Sequence, residues 1–514
     1  MVSVIVPTLN EAARVGGVIR LARQSPLVDE VLVVDDGSID GTPEIARAAG
    51  ARVITSTLLG KGASMEDGLR ATRSPFLLYL DGDLGGLRPS IVETMTRPLR
   101  DDSADFVKAR FRRSSGRVTM LTAQPLLELF FPELAVLAQP LGGVVAARRT
   151  LLERLPFETD YGVDLGLLID AAAHGGRVCE ADIGHLEHES QSLMQLGRMA
   201  RQVVRTLLDR AQRYGRLPDD RLSGSRLSGS RLSGSRLPDG RLPSCSCGGR
   251  LPDGRLPGRS CGGHLPGGWR DRDEEAAESA SPEQLLAPLR GARAVALFDM
   301  DGTLLRERVV EALARETRRT ARLGKWLTSD RVSPEERTGR IAAVFQGIPR
   351  AVFETVARHT PLAPGAAETV IALRRAGYRA GVISESFRVA AEVVRRRVFA
   401  DFSIGHLLRF RGGQATGEVV LAPALRHAAG CPVHWHCKRN LLLHLRECAG
   451  LPAEQVLAVG DGRSDECLLA ACGQSVAFEP KSLWVASAAQ ETLFGDLRPV
   501  LERMLALEPE EAIA

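Results

Sequence analysis

The chain reads as an α/β protein of two separate domains joined by a low-complexity tether. Three observations predict this. Strands ending in polar clusters alternate with helices over residues 1–215, and a second such alternation runs over residues 283–514. Between them, residues 216–282 carry a five-residue repeat that neither helix nor strand can use.

In the first alternation, Val2–Val6 reads as a strand, Glu11–Gln24 as a helix and Val31–Asp35 as the next strand. The Thr42–Ala49 helix, the Val53–Ser56 strand, the Ser64–Ala71 helix and the Phe76–Asp81 strand follow. Near Arg216 the text changes to Arg-Leu-Pro-Asp-Asp, three copies of Arg-Leu-Ser-Gly-Ser and shorter echoes to about Gly268. Gly, Pro and Ser in every unit stop any element from propagating, so a flexible, Arg-dotted linker is expected. Cys245, Cys247 and Cys261 lie within it. In the second alternation, Val295–Asp299, Ala380–Ser384, Val456–Asp461 and Ser475–Phe478 read as strands and Thr369–Ala376 as a helix. Both sheets are expected to be parallel.

The chain has 514 residues, with 44% apolar and 25% charged, an ordinary globular balance. Aromatics at 4% exclude a stacking platform for single strands, and a net charge of +4 excludes a polyanion partner, so no nucleic acid is expected. The 67 basic residues are 62 Arg and 5 Lys, which makes each Lys informative; Lys61, Lys438 and Lys481 fall in motif regions. Nine irregularly spaced Cys do not make a disulfide framework. No run reaches the ~18 apolar residues of a membrane span. The most apolar stretch, Leu126–Ala147, is broken by Glu128, Pro132, Glu133, Gln139 and Pro140. With a first strand opening directly at Met1, a soluble cytoplasmic protein is expected.

Ligands of open α/β sheets bind beyond the carboxyl ends of the strands. In the first domain those ends read Pro7-Thr-Leu-Asn10-Glu11, Asp35-Asp36-Gly-Ser and Asp81-Gly-Asp83, with Gly60-Lys61-Gly62 between the last two. Carboxylates flanking one residue can hold a divalent cation, and that cation can neutralise a diphosphate leaving group. The glycines permit close backbone approach, and Lys61 offers a cation to phosphate or ribose.

These motifs resemble those of GT-A fold glycosyltransferases. Gly116-Arg117-Val-Thr119, Gln139-Pro-Leu-Gly142-Gly143, Tyr161-Gly-Val-Asp164 and the His188 segment leading to Met199-Ala-Arg-Gln-Val narrow the resemblance to glucosyl-3-phosphoglycerate synthases. The resemblance implies glucosyl transfer from a nucleotide sugar, with UDP-glucose expected, to 3-phosphoglycerate or a similar phosphorylated small acid. It also implies retention of configuration, Mg²⁺ (or Mn²⁺) as cofactor and room for a homodimer. Asn10 and Glu11 would then line the uridine pocket. Asp36, Lys61, Gly142, Gly143 and Asp164 would complete substrate binding, and Arg117 and Thr119 would grip the acceptor. Asp83 and His188 would hold the metal with Asp81 in support. The chain departs from the family at Val144 and Asp164, where Glu is usual, and at Glu189-Ser190, where Arg-Asn is usual.

In the second domain, Asp299-Met-Asp301-Gly-Thr ends the first strand. A carboxylate nucleophile splits phosphomonoester hydrolysis into two easier steps, and a second carboxylate can protonate the leaving oxygen. Ser384 at a strand end can hydrogen-bond a phosphoryl oxygen, Lys438 supplies a cation, and Asp461 and Asp465 add carboxylates near a Mg²⁺. The set resembles the haloacid dehalogenase superfamily, a Rossmann-like fold, and most closely its phosphoserine-phosphatase-like branch. The resemblance implies Asp299 as nucleophile, Asp301 as general acid/base, and Ser384 and Lys438 as phosphate binders. Asp299, Asp301, Asp461 and Asp465 are the candidate metal set. The helical stretch at about 305–362 would be a mobile cap. Glu385-Ser386 replace the Gly-Gly often found after the motif serine, which argues against simple phosphoserine as substrate.

Cys431-Pro-Val-His434-Trp-His436-Cys437 has metal-ligand residue types, but the span is tight for one tetrahedral zinc, and buried thiols in a polar loop are the expectation. Taken together, the two halves predict a bifunctional enzyme that glycosylates a phosphorylated acid and then removes the phosphate. The result would be a glycosylglycerate-type solute. The alternatives are transfer to a polyprenyl phosphate with an unrelated phosphatase, and a regulatory protein that binds sugar nucleotides.

Overall fold

The computed structural model describes residues 1–112, 117–186, 193–217, 281–327 and 332–505. The five-residue repeat and its three Cys lie outside these residues, as do His188, Glu189 and Ser190.

The N-terminal unit is built on a sheet of β1 (Val2–Thr8), β2 (Val28–Asp35), β3 (Arg52–Thr55), β4 (Phe76–Tyr79), β5 (Phe106–Arg112), β6 (Val145–Arg148) and β7 (Val178–His185). Their order across the sheet is β3-β2-β1-β4-β6-β5-β7. Side chains alternate between its faces with the strand period of two. Val4, Val6, Val31 and Val33 bury into one core. Ile5, Leu32 and Val34 bury into the other. Burial on both faces explains why these strands read as continuous apolar runs. Each such Val, Leu or Ile contributes about 1.5–3 kcal/mol.

The expected all-parallel sheet is corrected here. β6 runs antiparallel to both β4 and β5. β5 ends at the carboxyl edge, and the helix Gln124–Phe130 precedes β6, which starts from that edge. A strand entered from that edge must run backward. The helix expected over Glu11–Gln24 is α1, confined to Val15–Ala22. Before it, Asn10 takes φ +60° in a turn.

The C-terminal unit repeats the logic with β8 (Ala294–Asp299), β9 (Tyr378–Phe387), β10 (Phe402–Arg411), β11 (Gln414–Val420), β12 (Val456–Gly460), β13 (Gln474–Phe478) and β14 (Glu491–Leu493). The order is β11-β10-β9-β8-β12-β13-β14. Only β11 is antiparallel to its neighbour among these pairs. β8 lies between β9 and β12, so the strand ends at Asp299, Ser384 and Asp461 converge. Helices Val309–Glu316, Thr320–Leu327, Pro334–Val344 and Arg350–His359 occupy the stretch expected as the cap. Phe345, Phe353, Phe387 and Phe410 pack edge to face beneath them.

The two units touch. The helix Arg388–Arg397 meets the N-terminal unit at Leu59 and Thr159. Arg375 donates to Ser38 O at 3.2 Å and pairs with Glu44 at 3.3 Å. The buried Phe399 ring lies against Gly37, where a Cβ would come within 2.8 Å of it. Gly37, at φ +76°, is therefore required both by its turn and by its neighbour.

Candidate functional site

The first site is a cleft of about 580 Å³ over the carboxyl ends of β1, β2 and β4. This volume lies in the range of small-molecule sites. Pro7, Thr8, Glu11, Asp36, Gly60, Lys61, Asp81 and Asp83 line it together with Arg117, Thr119, Gly142, Gly143, Tyr161 and Asp164. Most of the residues expected from the sequence are thus brought together. Asn10 is not among the lining residues: its side-chain oxygen accepts from Ile39 N at 2.9 Å, so it braces the turn instead.

Two buried carboxylates shape the turn after β2. Asp35 accepts from Gly37 N at 3.0 Å and Ser38 N at 2.9 Å, which closes the turn after β2. Asp36 accepts from Gly60 N at 2.9 Å and from the Ser64 hydroxyl, tying that turn to the start of the helix Lys61–Ala71. Burial pushes Asp36 up to about 6, against the pull of these hydrogen bonds.

At the front, Lys61 Nζ lies 2.8 Å from Asp81 Oδ1 and 2.9 Å from Asp164 Oδ2. Burial alone would lower its pKa, but Asp164 and Asp81 outweigh burial and raise it. A Cβ at Gly143 would fall 2.0 Å from Asp81 Oδ2 and 2.4 Å from Lys61 Nζ, so glycine here leaves the triad its present arrangement. Asp164 Oδ1 is buried without a hydrogen-bond partner.

Sequence reasoning missed Lys108. This fully buried lysine donates to Gly142 O at 2.5 Å, and burial lowers its pKa to about 8, against the pull of Asp164. Its rarity in an Arg-rich chain was the available signal. Also missed were Glu392, Arg395 and Arg396, which line the same cleft from the other unit.

The second site lies above β8, β9 and β12. Lys438 is buried, hydrogen-bonded to Asp299 and 2.6 Å from Asp465 Oδ1. Burial would lower its pKa; Asp299 and Asp465 outweigh that and raise it. Burial raises the Asp299 pKa, and the Lys438 ammonium opposes the rise. Asp465 Oδ2 also accepts from Asp461 N at 3.2 Å and Gly462 N at 3.1 Å, which shapes the loop after β12. Ser384 is buried, and its hydroxyl accepts from Ser386 N at 2.9 Å.

Asp299, Asp461 and Asp465 place carboxylate oxygens within 4.8 Å of one another. Three hard oxygen donors suit a Mg²⁺-type cation. The Asp301 side chain lies outside that cluster. It accepts from Val309 N at 2.8 Å, and burial together with the Asp299 charge pushes it up to about 7. A carboxyl poised there can exchange protons near neutral pH.

Residues 3–154 match the model of glycosyl transferase family 2, and residues 296–470 match that of haloacid dehalogenase-like hydrolases. The chain is 38% identical over 238 residues to glucosyl-3-phosphoglycerate synthase of Mycolicibacterium paratuberculosis, covering 41% of this chain and 72% of that one. It is 34% identical over 188 residues to a phosphoserine phosphatase of Mycobacterium tuberculosis, covering 36% of this chain and 44% of that one. A crystal structure of Mycobacterium tuberculosis glucosyl-3-phosphoglycerate synthase with Mn²⁺, UDP-glucose and phosphoglyceric acid is 38% identical. The match covers 43% of this chain and 81% of that one at a TM-score of 0.40. Among the described residues, no helix is long and apolar enough to cross a membrane. The C-terminal unit carries a domain that matches haloacid dehalogenase-like hydrolases, and through its N-terminal unit the chain belongs to the glucosyl-3-phosphoglycerate synthase family.

Proposed function

We propose that the chain is a bifunctional enzyme: the first unit transfers glucose from UDP-glucose to 3-phosphoglycerate or a similar acid, and the second hydrolyses the phosphomonoester so formed. The observation that carries this reading is the fusion itself. A member of a family named for making a phosphomonoester bears, in the same chain, an aspartate–lysine–serine phosphatase arrangement.

In the transferase, Glu11 and Asp36 bound the donor side, and Lys61 directs a cation into the cleft. Asp164 Oδ1, buried and unpartnered, waits for a sugar hydroxyl. Arg117 and Thr119 face the acceptor side, where a guanidinium suits a doubly anionic acid.

In the phosphatase, Asp299 attacks phosphorus, and the bond to the glucosylglycerate oxygen breaks as Asp301 protonates that oxygen. Water then attacks the aspartyl phosphate and gives its proton to Asp301, releasing phosphate, freeing the Asp299 carboxylate and restoring Asp301 as the acid. Ser384 and Lys438 hold the phosphoryl oxygens. Mg²⁺ at Asp299 and Asp461, and Mg²⁺ or Mn²⁺ at Asp83, would supply the charge neutralisation that anionic phosphates need. Free cysteines among the described residues support placing the enzyme in the cytoplasm.

The test is purified chain with UDP-glucose, 3-phosphoglycerate and Mg²⁺, reading UDP and phosphate together. Equal release of both supports the proposal. UDP release with persistent phosphoester would separate the second activity from the first.

A further inference from the structure

Cys431, His434, Cys437 and Cys467 bring one ligand atom each to within 4.8 Å of one another. The first three come from the loop before Lys438; the fourth comes from the helix after Asp465, thirty-six residues from Cys431 in sequence. His436, which the sequence placed in this cluster, is elsewhere: its Nδ1 lies 3.6 Å from Glu335 on a cap helix. The objection that the loop is too tight for four ligands therefore falls, because the loop supplies three.

The spacings decide what the cluster suits. Tetrahedral zinc with Zn–S of ~2.3 Å and Zn–N of ~2.0–2.1 Å requires S···S edges of about 3.8 Å and S···N edges of about 3.5–3.6 Å. Cys431 Sγ to Cys467 Sγ is 3.8 Å. His434 Nδ1 stands 3.7 Å from Cys431 Sγ and 3.5 Å from Cys467 Sγ. All three edges agree with one tetrahedron, and the thiols are unbonded to one another.

The loop is also held in shape by groups that are not ligands. Buried Asn440 accepts from Cys431 N at 2.6 Å and donates to Leu425 O at 2.9 Å, and Cys437 N donates to the same carbonyl at 2.9 Å. Such outer contacts are what fix ligands in place at metal sites.

We infer that these four residues form a closed Cys₃His structural zinc site that clasps the Lys438 loop to the Asp465 helix. Soft thiolates with one imidazole favour zinc over the hard cation of the carboxylate cluster. Four protein ligands leave no open position, so the site does no chemistry itself. Its effect is positional: Cys437 precedes Lys438, Cys467 follows Asp465 by two residues, and the Lys438–Asp465 bond of 2.6 Å joins the strapped segments.

The test uses the full chain without a histidine tag, purified under reducing conditions and dialysed against Mg²⁺ buffer. Mass-spectrometric metal analysis is expected to give one zinc per chain. Cobalt substitution is expected to give the intense visible bands and thiolate charge transfer of a tetrahedral site. Cys467→Ser should reduce zinc retention by at least about tenfold and lower phosphatase kcat, while UDP release by the transferase stays at the parent rate and reports that the chain has folded. Replacing Cys245, Cys247 and Cys261 by Ser should leave the zinc in place. Zinc below one-tenth per chain after zinc supplementation would overturn the inference. So would unchanged zinc in both Cys467→Ser and Cys431→Ser, or a Cys431–Cys467 disulfide in protein prepared under reducing conditions.

Discussion

Leu59 and Arg396 exchange hydrogen bonds across the two units: Leu59 N donates to Arg396 O at 2.9 Å, and Arg396 Nε donates to Leu59 O at 2.9 Å. Leu59 immediately precedes Gly60 and Lys61, so a residue of the phosphatase unit holds the donor-side turn of the transferase. A guanidinium bond of this kind is worth about 1.5–3 kcal/mol. Arg396→Ala should therefore raise the KM for the sugar nucleotide by about tenfold or more and leave phosphatase kcat unchanged. Equal donor KM in parent and variant, from UDP-release kinetics, would show that the contact does not reach the donor.

Cleavage within residues 218–280 should spare both chemistries, because each unit has its own sheet and cores. Fragments kept together at micromolar concentration should behave as the intact chain. Diluted fragments should show the donor KM of Arg396→Ala. Size-exclusion chromatography with activity assays on the fractions decides this; loss of either fold on cleavage contradicts it.

Asp299→Asn should lower phosphate release by about a thousandfold or more and leave UDP release intact, since the nucleophile is gone but the first cleft is untouched. The glucosylated phosphoester should accumulate and be visible by phosphorus NMR. Turnover at the parent rate would remove Asp299 from the mechanism.

Gly143→Ala tests the Lys61–Asp81–Asp164 triad. The new methyl would overlap Asp81 and Lys61, at 2.0 and 2.4 Å, and must displace one of them. Transfer should fall by about a hundredfold in kcat/KM, with the phosphatase preserved as an internal control. A transfer rate within twofold of the parent would mean that the triad tolerates rearrangement.

Arg117→Ala should raise the KM for the acceptor and leave donor binding alone. Glu189→Arg with Ser190→Asn restores the family's residues and should improve use of 3-phosphoglycerate. If neither form uses 3-phosphoglycerate while both glycosylate a lipid phosphate, the polyprenyl reading replaces the proposed one.

The chemistry-bearing motifs were legible because they are local. Asp35-Asp36, Asp81-Gly-Asp83, Asp299-Met-Asp301 and Asp461 each follow a short apolar run. A chain leaving the carboxyl edge of a buried strand places its next polar residues at the ligand-binding edge. For the same reason the two α/β alternations could be read from the sequence. What the strands do beside one another could not be read this way. The reversal of β6 put Gly143 against Lys61 and Asp81, and the position of β8 between β9 and β12 brought Lys438 onto Asp299 and Asp465. Cys467 reached Cys431, and Arg396 reached Leu59, only through tertiary packing. Sequence alone determined which groups stand at the ends of strands, because that depends on a few neighbouring residues. Tertiary structure decided which of those groups meet, because strand order and domain contact are set by how whole apolar faces bury, and no short stretch of chain encodes that.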